Sequence, residues 1–158
     1  MADPAWRPSP RARALWAVNA ALMWVPPVVA QVVWGVLDAG RPGLHVSVAV
    51  ATVVLGGVHI AVVPLWRYRV HRWEISDTAV YTRSGWFTQE RRIAPISRIQ
   101  TVDTERGPID RWLGLATVTV TTASSAGAVQ ITALDTATAD ATVARLTAIA
   151  GRDGADAT

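Results

Sequence analysis

The chain has 158 residues, no cysteine and a formal net charge of +3, and 51% of its residues are hydrophobic. The missing cysteine excludes disulfides, Cys-ligated metals and thiol catalysis. The length leaves room for one small domain beside any membrane segment. The fifteen basic residues are all Arg, the net charge is modest, and no nucleic-acid partner is expected.

Residues 1–13 are rich in Pro and Arg and read as a disordered tail. Two apolar runs follow, 14–37 (ALWAVNAALMWVPPVVAQVVWGVL) and 44–66 (LHVSVAVATVVLGGVHIAVVPLW), neither with a formal charge. Each exceeds the roughly 20 residues that a helix needs to cross about 30 Å of hydrocarbon. Only Asp38-Ala39-Gly40-Arg41-Pro42-Gly43 separates them, so the two must run antiparallel as a transmembrane hairpin. Val28-Val29-Ala30 has the small-residue look of a signal-peptide cleavage site. The run nevertheless continues to Leu37, longer than such a leader's apolar core, and Pro26-Pro27 reads as a kink within a span.

Orientation follows from arginine placement. Arg7, Arg11 and Arg13 precede the hairpin, Arg67, Arg69 and Arg72 follow it, and the turn holds one Arg and one Asp. Basic residues at helix ends stay in the cytoplasm, which puts both termini and the following domain on the cytoplasmic side of the membrane. Trp16 and Trp66 then fall near the inner interface and Trp34 near the outer one. Small residues four apart on the second helix, Ser47/Ala51, Thr52/Gly56 and Gly57/Ala61, suit close helix packing or contact between copies. Asn19, Gln31 and His59 are the polar groups at membrane depth and are expected to hydrogen-bond across the helix pair. His45 and His59 share one helix, so no bis-His haem site spans the hairpin.

Beyond Trp66 the apolar runs give way to short alternating segments: 68–75, 79–84, 87–93, 98–104, 117–122 (TVTVTT) and 128–134. Ser76-Asp77-Thr78, Gly85-Trp86 and Ser124-Ser125-Ala126-Gly127 supply turn chemistry between them. Six strands at this spacing predict an antiparallel sandwich or barrel. Asp135 or Thr136 then caps a helix carrying the stripe Ala139, Val143, Leu146, Ile149 and Ala150, with Gly151 as its stop. That amphipathic helix would cover an open end of the barrel. The domain is thus expected over 67–151, with 152–158 a disordered tail. Nine Arg against six acids give 67–112 a charge of +3, whereas two against four give 113–158 a charge of −2. The basic half lies next to the membrane.

The stretch TRSGWFTQERRIAPISRIQTVDTERGPIDRWLGLATVTVTTA, and above all Ile93-Ala94-Pro95-Ile96-Ser97-Arg98-Ile99-Gln100 with Asp110-Arg111-Trp112-Leu113-Gly114-Leu115-Ala116, resembles the YdbS-like bacterial pleckstrin-homology (PH) family. The resemblance covers nearly the whole chain outside 1–13 and 152–158. It implies a PH-like barrel of seven strands with a C-terminal helix, one strand more than the residues themselves predict. The expected fold is therefore a two-helix transmembrane hairpin followed by an α+β PH-like domain. In the motif itself, Pro95 ends a strand, Ile96, Ile99 and Val102 reach the core, and Ile109–Leu113 forms one helical turn closed by Gly114. Trp112 and Leu113 are expected to plug the barrel.

For function, Arg67, Arg69, Arg72, Arg91 and Arg92 are the candidates for contact with anionic lipid, worth about 1 kcal/mol each near the surface. Arg98, Arg106 and Arg111 are the candidates for partner contact, and Asp103 and Glu105 are expected to pair with Arg98 and Arg106. The turn Ser76-Asp77-Thr78 carries an acid and no base, which argues against a dedicated phosphoinositide pocket. No phosphate-cradling glycine motif, metal-spaced cluster or nucleophile–base arrangement is present, so neither an enzyme nor a cofactor is expected. The expected role is an interaction module held at the bilayer by the hairpin. Its partners would be membrane lipids and either a second membrane protein or another copy of the chain. A sensor of anionic lipid is the alternative.

Overall fold

A computed structural model describes residues 3–38, 40–85, 87–123 and 127–155, with the side chains of 153–155 left out. Two long helices come first, α1 (Ala12–Leu37) and α2 (Pro42–Val70). Both are long and apolar enough to cross a membrane. They lie antiparallel in extensive contact, and α1 stays helical through Pro26 and Pro27. Strands β1 (Arg72–Ile75), β2 (Ala79–Ser84) and β3 (Glu90–Pro95) form one antiparallel sheet. After a 3-10 turn, β4 (Ile99–Glu105), β5 (Leu115–Thr122) and β6 (Val129–Asp135) form a second. Helix α3 (Pro108–Leu113) joins β4 to β5, and α4 (Thr136–Ala155) packs back across the second sheet. Six strands are present among the described residues, as the residues predict.

The core lies between the sheets. Trp73, Ile75, Val80, Ile96, Val118, Val120, Ile131 and Leu134 meet Ala139, Leu146 and Ile149 of α4 in one cluster. The alternation read from TVTVTT is the burial pattern of β5, where Val118 and Val120 face inward and are fully buried. Gly114 takes a left-handed conformation (φ 68°) and ends α3, which a residue with a side chain would resist.

Several boundaries differ from expectation. Tyr68, Arg69 and Val70, read as the start of a strand, continue α2 instead. Tertiary packing overrides their β preference: Tyr68 joins a second cluster with Ala12, Leu15, Trp16, Ile109, Leu113, Leu115 and Ala133. This cluster welds the foot of the hairpin to the domain. Phe87 precedes β3 rather than starting it, because the tight turn at Gly85 (φ 113°) carries the chain to Glu90. Helix α4 runs through Gly151 to Ala155 instead of stopping, a glycine inside a helix costing only about 1 kcal/mol. The loop residues 124–126 and the end of the tail at 156–158 lie outside the described residues.

The largest departure is at the N-terminus. Residues 3–11, expected to be disordered, run along the domain. Trp6 and Trp73 exchange backbone hydrogen bonds of 3.0 and 2.9 Å across the edge of β1, and their rings meet edge to face at 4.9 Å. Further along, the Ser9 amide donates to Ala133 O at 2.9 Å and its hydroxyl to Asp135 at 2.8 Å. Asp135 thus receives the strap. The Pro residues around Trp6 favour the extended backbone that such a strap needs.

Candidate functional site

The hairpin is held by two polar contacts at membrane depth. Trp24 Nε1 donates to His59 Nδ1 at 3.0 Å, and Gln31 Nε2 donates to the Thr52 hydroxyl and, at 3.3 Å, to Val48 O. Trp24 also covers Gly56, where an added Cβ would come within 3.2 Å of its ring. Thr52, Gly56, Gln31 and His59 thus lie where α1 and α2 meet. Gly57 and Ala61 lie on the exposed side of α2, with open space where a Gly57 side chain would go. Asn19 is exposed, and no hydrogen bond links it to the described residues. The small-residue pairs divide by face, which spacing alone does not reveal.

At the foot of the hairpin most of the basic residues are already engaged. The Arg67 guanidinium lies 4.7 Å over the Trp16 ring. Arg91 pairs with Asp3 at 3.2 Å, and Arg92 pairs with Glu90 at 2.7 Å while donating to Ala128 O at 2.9 Å. Arg69 is exposed, and Arg72 buries its Nε without a hydrogen-bond partner among the described residues. Arg83, which sequence reasoning passed over, is central: its Nε donates to Val70 O at 2.9 Å and its Nη1 meets Asp3 at 2.6 Å. That hydrogen bond, with the nearby charges of Arg83, Arg91 and Arg72, holds the Asp3 carboxyl below the usual carboxylate value. His71 is buried beside these groups and donates from Nδ1 to Arg67 O at 2.9 Å. Burial pushes its imidazole down to about 4; the Arg67 charge adds to this and the hydrogen bond opposes it. A polar cleft of about 300 Å³ opens between Arg67, His71, Ser84, Glu90, Arg92 and Gln130.

The candidate partner arginines do not converge. Arg98 precedes the seven-residue β4 and Arg106 follows it, which separates them by roughly 26 Å along the strand. Arg111 is exposed on α3, while Arg106 donates to Leu115 O at 3.2 Å. Asp103, expected to pair with an arginine, accepts from the Thr101 hydroxyl at 3.0 Å. Trp112, expected to plug the barrel, is 79% exposed; Ile109 and Leu113 are the α3 residues that face inward. Adjacent helical residues do not face the same way, so with Leu113 turned inward Trp112 turns out.

An open apolar groove was not legible in the sequence. A groove of about 540 Å³ runs between β1 and α4, with Trp6, Trp73, Ile75 and Ala141 on its walls and Arg7 and Arg145 at its rim. Arg145 stands 5.9 Å over the Trp6 ring and 3.9 Å from Asp77. Among the described residues no cluster of His, Asp and Glu could hold a metal ion.

Two apolar helices that lead into two three-stranded sheets closed by a helix define a PH-like module on a membrane hairpin. The family model described as "Bacterial PH domain" matches residues 17–149, and the chain belongs to that family. The match begins inside α1, so the hairpin is part of what the family shares. A relative from Bacillus subtilis (strain 168), "UPF0699 transmembrane protein YdbS", is 37% identical over 68 residues. That segment covers 43% of each chain. No solved structure matches significantly. The chain is thus a YdbS-like PH-domain membrane protein, as the resemblance in its sequence implies.

Proposed function

We propose that this protein is a membrane-anchored, non-catalytic docking module whose hairpin spans the membrane with both ends cytoplasmic, and whose PH-like domain binds a partner protein there. The observation that carries this reading is the groove between β1 and α4. Its walls are apolar, its rim carries Arg7 and Arg145, and the adjoining edge of β1 already takes an extended segment through paired backbone hydrogen bonds with Trp6. With that edge closed by the chain's own strap, the groove beside it is left to take an apolar side chain, and the rim arginines suit an acidic neighbour. The fitting partner is an extended segment of a membrane protein, with an apolar anchor for the slot and an acidic residue for the arginines. The arginines assigned to lipid from sequence support this reading less directly, since Arg67, Arg91 and Arg92 are engaged within the chain. The exposed Arg69 favours a contribution from anionic lipid as the second reading.

The test is purification of the tagged full-length protein in mild detergent, with mass spectrometry of what accompanies it. A stoichiometric membrane protein that is released when Ala141→Trp fills the groove is the expected result. Recovery of the protein with enriched anionic lipid alone, unchanged by Ala141→Trp, would establish the lipid reading in its place.

A further inference from the structure

Two large aromatic side chains stand almost fully exposed on the domain: Phe87 at 91% and Trp112 at 79%. Neither lies in the groove, and both lie on the end of the domain that faces the hairpin. For Phe87 the path is short. Strand β1 leaves α2 two residues after Val70, β2 returns alongside it with Arg83 opposite Arg72, and Arg83 Nε bonds Val70 O at 2.9 Å. The turn that follows β2 and carries Phe87 is thus directed back toward the hairpin. For Trp112 the tie is through α3. Arg11 Nη1 donates to Leu113 O at 3.4 Å, and Ile109 and Leu113 pack with Ala12, Leu15 and Trp16 at the foot of α1. Trp112, one position from Leu113, faces out beside that foot.

Depth follows from helix geometry. The last large exposed apolar side chain of α2 is Trp66, and Val70 lies four residues further on, about 6 Å along the axis. The headgroup layers add about 5–8 Å on each side of the hydrocarbon. The end of α2, the turn bound to it and the helix α3 beside Arg11 therefore lie at headgroup level. Trp rings settle at that level, where an apolar face meets lipid and the surroundings stay polar, and Phe rings dip to the boundary between headgroup and acyl chain. Exposed Arg69, in the last turn of α2, and Arg111, next to Trp112 in the chain, add charge that suits anionic headgroups.

We infer that Phe87 and Trp112 are a pair of membrane-surface anchors: they insert into the headgroup layer on either side of the hairpin foot and fix the tilt of the PH-like domain on the bilayer. This rests on the reading that the hairpin crosses the membrane. The occupant of this face is then the lipid of that same membrane, continuous with the surface that surrounds the helices.

The absence of cysteine allows a clean test with single-cysteine variants of the full chain. Phe87→Cys, Trp112→Cys, Asp77→Cys and Val53→Cys are each labelled with an environment-sensitive fluorophore and reconstituted into vesicles of phosphatidylcholine and phosphatidylglycerol. Asp77 lies in the turn at the opposite end of β2, and Val53 is 73% exposed midway along α2. Labels at 87 and 112 are expected to shift to the blue and to be quenched by a headgroup-labelled spin lipid several-fold more than the label at 77. If 87 and 112 behave like 77 while the label at 53 is quenched by an acyl-chain spin lipid, the hairpin spans and the anchors are refuted. If the label at 53 also stays unquenched, the membrane reading itself falls and the anchors fall with it.

Discussion

The hairpin and the domain solve opposite problems. In the most apolar window of each helix only 6% of residues are buried, so the pair turns nearly all of its hydrocarbon outward and depends on lipid to cover it. Its two helices are matched by a few specific contacts: Trp24 on Gly56 and His59, and Gln31 on Thr52. The domain does the reverse. Its strands alternate, its main core is a continuous cluster between the sheets, and a strap from the N-terminus closes the exposed edge of β1. A protein built this way should respond to core substitutions in the domain as a water-soluble protein does. In the hairpin it should respond only where the two helices touch.

The largest effect is expected at Trp73, whose ring joins the core to the strap. Trp73→Ala should lower the unfolding free energy of the domain by about 3–5 kcal/mol, read by denaturation in detergent. The same change should leave helix content in the hairpin intact, and a loss of both together would erase the distinction drawn here. Acid comes next. The His71 imidazole is held down at about 4 in the folded state against an ordinary 6.5. Between those values the unfolded chain binds more protons, so stability is full above pH 6.5 and falls as pH drops toward 4. The loss should amount to about 3 kcal/mol and should vanish in His71→Phe. A flat stability profile over that range in the parent protein would contradict the burial of this side chain.

Within the hairpin the comparison sharpens to two neighbouring glycines. Gly56→Leu must displace the Trp24 ring and should cost about 1–3 kcal/mol of helix–helix association. Gly57→Leu, facing open space, should change little in the same reconstituted sample. Equal effects would mean that the second face is also a packing face, occupied by another copy of the chain. The smallest effect belongs to Gln31→Ala, about 0.6 kcal/mol, since polar contacts between membrane helices are worth little more than that.

What the sequence disclosed follows the range over which each feature is encoded. The two spans and the alternation of β5 are properties of a single segment, visible without any partner. The turn of α3 closed by Gly114 is equally local. The strap is not: Trp6 and Trp73 are far apart in the chain, and only the folded edge of β1 gives Trp6 a ring to meet. The helical state of Tyr68 depends likewise on Leu15 and Leu113. Charge misled for a related reason. Arg67, Arg91 and Arg92 read as a basic face because Trp16, Asp3 and Glu90, which engage them, come from other elements or other turns. Trp112 misled because spacing within one turn of helix does not say which of two adjacent apolar residues turns inward.

The placement of the domain is the claim on which the functional reading stands, and cysteine accessibility in whole cells tests it most directly. Gly40→Cys sits in the turn of the hairpin and Thr138→Cys on the exposed face of α4. With both ends cytoplasmic, a membrane-impermeant thiol reagent should label position 40 in intact spheroplasts and position 138 only after permeabilisation. Labelling of position 138 from outside, or of neither position until the membrane is opened, would contradict a spanning hairpin that presents its PH-like domain to the cytoplasm.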